Sequence, residues 1–386
     1  MSIKDKYAFV GLGLTKMGKI PEFSVNELAA QAILLALEDS GMKKEEIDGY
    51  IYQQGLGGGP EGNAPTWAAG IPAKFCWQMQ AGGATGISTV AAAIGAIEAG
   101  LSKSCLLVHA STASSKGLTI GAGGDQRRTQ GANGYYAPVS VAAGIARRWM
   151  HLYGLTRQQL GSIALTLREY ANKRPEAVMH TRKMTMEDYL NARIIVEPLG
   201  VPDCCLVNDG AVAMIITSAE RAKDYKKQPV YVMGYGLDHS GRQIAQSSEA
   251  IWHWDGFVVE KAKENAFNMA GITLKDIDVA EMYDAFTIFL LAQLEAYGIC
   301  EKGEAGAFVE AGNLRLNGAW PSNTSGTELS WSYMQGFTHL TEGIRQMRGE
   351  GGECQVKDAE IAMVTGLGGM LEPGTGSGAS CCILRR

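Results

Sequence analysis

The chain predicts an α/β protein built from two similar halves. Three observations carry this expectation. Residues 29–48 (AAQAILLALEDSGMKKEEID) and 259–278 (VEKAKENAFNMAGITLKDID) read as the same amphipathic helix. Each closes on a small residue, Gly and an apolar residue (Ser40-Gly41-Met42; Ala270-Gly271-Ile272) and then reaches Ile-Asp. A strand-like run precedes each copy, AFVGLGLT at 8–15 and VYVMGYGLD at 230–238. Finally, short apolar runs rich in β-branched residues alternate with helical periods along the chain, as in a parallel sheet with crossover helices. A repeat this long is no solenoid. It packs two copies of one unit, and sites in such proteins lie where both halves lend loops to one cleft.

Taken in order, the first strand (7–14) leads into helix 25–40, and the buried-type helix 86–100 into a strand at 105–110. The stretch 111–137 (STASSKGLTIGAGGDQRRTQGANGYYA) has no period and reads as a functional lid or an insertion. Helices follow at 139–153 and 157–173; 174–207 is again irregular, and basic at Arg182-Lys183; a strand follows at 211–218. The charged segment RAKDYKKQ (221–228) divides the halves, 1–225 and 226–386. The second half repeats the alternation: strand 230–236, helix 255–271, strand 279–283, helices 286–298 and 337–348, strands 360–366 and 379–385.

Composition narrows the function. With 386 residues, 46% hydrophobic and 19% charged, the chain buries a large core. A net charge of −5 with both signs dispersed argues against nucleic acid as a partner. No apolar run is long enough to span a membrane, and MSIKDKYAFVG lacks the basic-then-apolar order of a signal peptide, so a cytoplasmic protein is expected. The eight cysteines, none in Cys-x-x-Cys spacing, are expected as free thiols, and no metal site is expected in this chain. The six histidines show no metal-like spacing and are expected on the surface or in the core. Gly11-Leu12-Gly13 lacks the third glycine of a dinucleotide fingerprint, which excludes a nicotinamide site.

Three loops are candidates for chemistry. Gln80-Ala81-Gly82-Gly83-Ala84-Thr85-Gly86 enters a helix, and small residues there leave N–H groups able to face an anion or a carbonyl oxygen. Close packing of a central helix would call for the same residues. Tyr283-Asp284-Ala285-Phe286 sits at a strand end, where α/β proteins bind ligands. Asp284 as a helix cap is the structural alternative, which leaves Tyr283 unexplained. Asn323-Thr324-Ser325-Gly326 and Trp331 to Gly336 open another helix, or form an aromatic rim that packs a loop. Arg127-Arg128 offers charge for a phosphate, or simply a solvated face.

Together with Gly366 to Gly369, these features resemble the thiolase superfamily over essentially the whole chain. The segments 203–222 and 295–308 are similar to its sterol-carrier and lipid-transfer-protein branch. The resemblance implies a thiolase fold, two α/β halves in five α-β-α-β-α layers. It also exposes departures. The acyl-accepting Cys of the family's Cys-Ala-Ser-Gly motif falls on Gly83. Its Asn-Glu-Ala-Phe or His-Asp-Ala-Phe motif is Tyr283 to Phe286, its Gly-His-Pro is Ser332-Tyr333-Met334, and its second catalytic Cys falls near Thr365. Cys76 lies too early, in the preceding strand, to replace the missing thiolate.

Tyrosines at both positions are similar to the lipid-transfer-protein aldolases. The resemblance therefore implies Cys-independent retro-aldol cleavage of a β-hydroxyacyl-CoA, with Tyr283, Tyr333 and Asp284 catalytic, Gly82, Gly83, Gly368, Gly369, Arg127 and Arg128 binding the coenzyme A moiety, and coenzyme A entering as part of the substrate. A phenol titrates near 10, so a base role requires a shift or a relay. Two other readings stay open: a thiolase acting on a bulky or aromatic 3-oxoacyl-CoA such as benzoylsuccinyl-CoA, and a non-catalytic acyl-CoA or lipid carrier. Trp67, Trp77, Tyr135, Tyr136, Trp252, Trp254 and Trp331 suit a bulky substrate or a partner interface. The branch further implies a homodimer formed through 84–111 and a small zinc-ribbon/OB-fold subunit.

Overall fold

The computed structural model describes residues 3–55, 58–117, 138–238, 257–368 and 378–386. Its strands are β1 (Tyr7–Leu14), β2 (Gly49–Gln54), β3 (Phe75–Met79), β4 (Ser104–Thr112), β5 (Ile194–Val196), β6 (Leu199–Gly200), β7 (Asp209–Ser218), β8 (Val230–Asp238), β9 (Val279–Glu281), β10 (Ile361–Gly368) and β11 (Gly378–Arg385). The helices of ten or more residues are α1 (Val25–Ser40), α2 (Thr85–Glu98), α3 (Pro138–Tyr153), α4 (Arg157–Asn172), α5 (Glu260–Ala270), α6 (Thr287–Ala296) and α7 (Phe337–Arg348).

Nine strands form one sheet in the order β3-β2-β4-β7-β1-β8-β11-β10-β9. It is mixed, which corrects the expectation of a parallel sheet. β2 runs parallel to β3 and β4, and β9 to β10; the other neighbours are antiparallel. A single crossover helix enforces parallel pairing, and β7 and β1 are joined by no such unit. Only two residue pairs, Ala8–Tyr231 and Phe9–Val230, link β1 to β8. This thin seam separates a first half-sheet (β3-β2-β4-β7-β1) from a second (β8-β11-β10-β9).

Alternating side chains sort the layers. Ala8, Val10, Val108 and Ile215 pack with α1 on one face of the first half-sheet. Phe9, Leu107 and Met214 point the other way, into a cluster with Ile87 and Ile94 of α2 and Leu340 and Ile344 of α7. Val232, Val364 and Leu384 of the second half-sheet close the same cluster from its far side. Met233, Met363 and Ile383 face outward onto α5 and α6. The order is thus α1, half-sheet, α2 with α7, half-sheet, α5 with α6: five layers.

The repeat survives in atomic detail. A Cβ at Gly11 would lie 2.6 Å from the Ala36 carbonyl oxygen of α1, and one at Gly13 would overlap that of Ala32. In the second copy, Gly234 and Gly236 stand in the same way against Ala266 and Ala262 of α5. Gly-x-Gly in each strand is therefore a flat seat for a helix. Gly41 (φ 70°) and Gly271 (φ 66°) end the two helices in the left-handed region.

The segment 138–207 leaves its own half and covers the other. The Trp149 indole of α3 donates to Glu295 of α6 at 2.9 Å, and the Tyr170 hydroxyl of α4 donates to the Leu314 carbonyl at 2.9 Å. Within 174–207 the chain forms the β5–β6 hairpin and a short helix, Met186–Leu190. All eight cysteines are free thiols. Among the described residues no helix is long and apolar enough to cross a membrane.

Candidate active site

The loop before α2 is held by its own side chains. Thr85 Oγ1 accepts from the Ala81 N–H at 2.7 Å and donates to the Gly82 carbonyl at 2.7 Å. Gly82 has φ 55°, a conformation that favours glycine. From the end of β2, Gln53 Nε2 reaches the Gly82 carbonyl (3.1 Å), Gln80 Oε1 (3.2 Å) and Gln335 Oε1 (3.1 Å). The second half supplies the seat. A Cβ on Gly366 would lie 2.5 Å from the Gly83 carbonyl oxygen, one on Gly336 would overlap that oxygen, and one on Gly368 would overlap the Ala81 carbonyl. Gly368 is thus bare because the loop rests on it. Gly369, Arg127 and Arg128 lie outside the described residues, as do Tyr135, Tyr136, Trp252 and Trp254.

Tyr283 follows β9. Its N–H donates to Thr365 Oγ1 (3.1 Å), Thr365 donates to Gln293 Oε1 (2.7 Å), and Gln293 Nε2 donates back to the Tyr283 carbonyl (2.6 Å). Its ring is buried directly over Gly83. A Cβ there would overlap Cε2 and Cζ of the ring and come 2.5 Å from the Leu367 carbonyl oxygen. The aromatic ring fills the space a nucleophile's side chain would need. Tyr333 comes from the turn before α7, where its N–H donates to Asn208 Oδ1 at 2.7 Å. It is half-buried, whereas Tyr283 is buried. Tyr333 and the Glu328 carboxylate are among the groups that act on the Tyr283 phenol. Burial first, then neighbouring acidic groups, holds both phenols well above their ordinary value of 10. At neutral pH they are protonated donors.

Asp284 does not cap α6, which corrects that alternative. Its Oδ2 accepts from Thr327 Oγ1 (2.6 Å) and the Leu329 N–H (3.3 Å), and its Oδ1 from the Glu328 N–H (3.1 Å). Oδ1 also pairs with His339 Nε2 at 2.8 Å. Both oxygens are spent on protein groups, so Asp284 shapes the site from behind. The residues it holds form a turn of π-helix, Thr327–Trp331. Asn323 (φ 55°), Thr327 (φ 29°) and Gln335 (φ 47°) around it are left-handed, the clustering of strain typical of functional loops. Asn323 clasps this turn to the Tyr283 loop, accepting from the Met282 N–H (3.0 Å) and donating to its carbonyl (2.7 Å).

Two members of the site escape the motif reading. Glu328 is fully buried; its Oε1 accepts from the Gly336 N–H at 2.7 Å, and its Oε2 has no directed partner. Burial and the nearby Asp284 carboxylate raise its carboxyl well above the usual range. It is the one Asp, Glu, Lys or Arg between Arg315 and Glu342, a signal the sequence does carry. His339 is the other: it is buried beside Tyr283, ring centroids 5.7 Å apart, with Nδ1 unpartnered. The Cys205 thiol also faces this group, but burial and the Glu328 carboxylate push it far from ionising. Trp331 is core rather than cleft lining, 1% exposed and beneath the Arg345 guanidinium. Among the described residues no cluster of His, Cys, Asp and Glu could hold a metal ion.

Comparison with known proteins extends this picture. Residues 237–382 match a family described as thiolase C-terminal domain-like. The chain is 34% identical over 361 residues to 17-hydroxy-3-oxo-4-pregnene-20-carboxyl-CoA lyase of Mycobacterium tuberculosis, covering 90% of this chain and 92% of that protein. It is 32% identical to the steroid side-chain-cleaving aldolase of Thermomonospora curvata (89% and 90% covered) and 31% identical to the acetyl-CoA acetyltransferase of Methanothermobacter thermautotrophicus (94% and 96%). Among solved structures, the Ltp2-ChsH2(DUF35) aldolase superposes with a TM-score of 0.87 at 29% identity, covering 100% of this chain and 99% of that one.

Proposed function

We propose, because the chain belongs to the thiolase-like family of the sterol carrier proteins, that it is an enzyme cleaving the Cα–Cβ bond of a β-hydroxyacyl-CoA by a retro-aldol step with no acyl-enzyme. One observation carries this reading: the Tyr283 ring occupies the space above Gly83 that a nucleophile's side chain would need. A retro-aldol step needs a proton acceptor for the β-hydroxyl and donors for the enolate that develops at the thioester. In this reading the half-buried Tyr333 touches the substrate hydroxyl, and the N–H groups of Gly82 and Gly83 face the thioester oxygen. Asp284 fixes the π-turn that presents these groups. The direct test uses the compound named for the M. tuberculosis relative, 17-hydroxy-3-oxo-4-pregnene-20-carboxyl-CoA, as first probe, beside simpler β-hydroxyacyl-CoA thioesters. A ketone and a shortened acyl-CoA are expected. A thiol-linked acyl adduct would replace this reading with a thiolase, and binding of every probe without turnover would replace it with a carrier.

Two assembly proposals accompany it. The similar solved aldolase carries ChsH2(DUF35) in its name, which supports a small second subunit for this chain too. A homodimer is supported by β3, an edge strand with one unpaired side, where Trp77 is 46% exposed and nearby Trp67 75% exposed.

A further inference from the structure

We propose that Gln53 is a positioning residue: its one buried amide fixes the spacing between the peptide that meets the thioester oxygen and the turn that carries Tyr333. The inference rests on the aldolase reading and adds to it the group that gauges its two contacts. Gln53 lies at the end of β2 in the first half and is fully buried. All its side-chain hydrogen bonds leave from Nε2: to the Gly82 carbonyl (3.1 Å), to Gln335 Oε1 (3.1 Å) and to the exposed Gln80 (3.2 Å). A carbonyl only accepts, so nitrogen is the atom that must face Gly82. Oε1 is buried with no partner. A buried amide that leaves its oxygen unpaired is there for its donor.

Peptide planarity turns this contact into aim. The Gly82 carbonyl and the Gly83 N–H belong to one rigid unit and point opposite ways. Gln53 and Thr85 (2.7 Å) hold the carbonyl, so the N–H is turned away from both. Among the described residues no acceptor takes the N–H of Gly82 or Gly83, whereas that of Ala84 is spent on the Ala81 carbonyl (3.1 Å). Thr85 sits on the same turn and can do this much alone. Gln53 also reaches Gln335 of the second half, two residues after Tyr333. Asn208 and Glu328 hold that turn's backbone, at the Tyr333 and Gly336 N–H, but neither is hydrogen-bonded to the 82–84 turn. Among the described residues Gln53 is the one side chain bonded to both. The spacing matters to this substrate class. In a β-hydroxyacyl-CoA the thioester carbon and the hydroxyl-bearing carbon flank Cα. Both oxygens must be seated together for the Cα–Cβ bond to align with the carbonyl that takes its electron pair. A misplacement of about 1 Å costs about 10²-fold in rate.

The test compares wild type, Q53M, Q335M, Y333F and the double variant Q335M/Y333F. Q53M keeps the volume and removes the donor, whereas Q335M removes only the link to the second half. For Q53M, kcat is expected to fall about 10²-fold with KM little changed. Q335M should also lower kcat, and Q335M/Y333F should be no slower than Y333F, because Gln335 acts through Tyr333. A second readout needs no turnover. Butyryl-CoA carrying ¹³C at the thioester carbonyl has no β-hydroxyl to cleave, and its carbonyl stretch in infrared difference spectra reports the hydrogen bonds it accepts. The band is expected below that of free butyryl-CoA in wild type and in Q335M, and shifted back toward it in Q53M. A kcat and a band unchanged in Q53M would overturn the proposal. So would a slower Q53M whose band stays put while the Q335M and Y333F losses simply add, the pattern of general loosening. Should Q53M fail to fold, Q335M and its double variant decide. A wild-type chain that cleaves no β-hydroxyacyl-CoA sinks the aldolase reading instead, and the band in Q53M still judges Gln53.

Discussion

Tyr283 makes Gly83 obligatory, and that pair is the sharpest mark of the site. An alanine at Gly83 forces its methyl into the ring, an overpacking that typically costs about 1–3 kcal/mol. G83A should therefore melt at lower denaturant concentration, and G83A/Y283A should recover part of the loss; a G83A as stable as wild type would contradict the contact. If the hydroxyls carry the proton, Y283F and Y333F should each lower kcat by about 10²-fold in steady-state assays. Near-native turnover in both would remove them from the chemistry. Both tyrosines and Gly83 are legible in the sequence because each occupies a family motif position. The role of Glu328 in the site is less so, since its hydrogen-bond partners lie far away in the chain (Asp284) or across a turn (Gly336), in a segment with no helical or strand period.

Among the elements, the π-turn 327–331 depends on one carboxylate. D284A leaves Thr327 Oγ1, two backbone N–H groups and His339 buried without their acceptor. Losses of this kind cost about 3–5 kcal/mol, so a large drop in the unfolding free energy is expected from urea melts. Beneath the same turn, Glu281 accepts from Thr324 (N–H 3.2 Å, Oγ1 2.8 Å), beside Glu342, which is paired with Arg174. Burial, then the Glu342 charge, raises its carboxyl well above the ordinary value. A raised folded value means its contribution is whole below the ordinary carboxyl range, near 4, and is lost as pH climbs through the raised one. Stability measured across that window should fall less steeply in E281Q than in wild type; identical slopes would argue that Glu281 does not titrate there. The long helices and most strands were readable from periodicity. β2 and the β5–β6 hairpin were not, because GYIYQQ mixes buried polar and aromatic residues and the hairpin strands are two or three residues long.

At the scale of the whole molecule, the duplicated unit explains the five layers, and the Gly83 loop of the first half packs on Tyr283, Gly336 and Gly366 of the second. What the repeat could not tell is strand sense, since antiparallel pairs such as β4–β7 and β8–β11 join strands far apart in the chain and leave no local pattern. The open edge at β3 gives the assembly a test. W77E places a charge on that edge and should shift sedimentation toward the monomer, whereas an unchanged dimer would locate the contact elsewhere. Co-expression with a DUF35-type subunit should raise activity over the chain alone; full activity from the purified single chain would show that subunit to be dispensable.

The packing of Tyr283 on Gly83 also constrains descent. One nucleotide change turns a glycine codon into a cysteine codon, yet the thiol so gained would have nowhere to stand while the ring remains. Removing the ring first would leave an empty space over Gly83 before any thiol stood there. If the pair serves the proposed cleavage, neither order passes through a working intermediate, so a lineage carrying it is held on its side of a fitness valley, and a change to thiol chemistry requires both changes together.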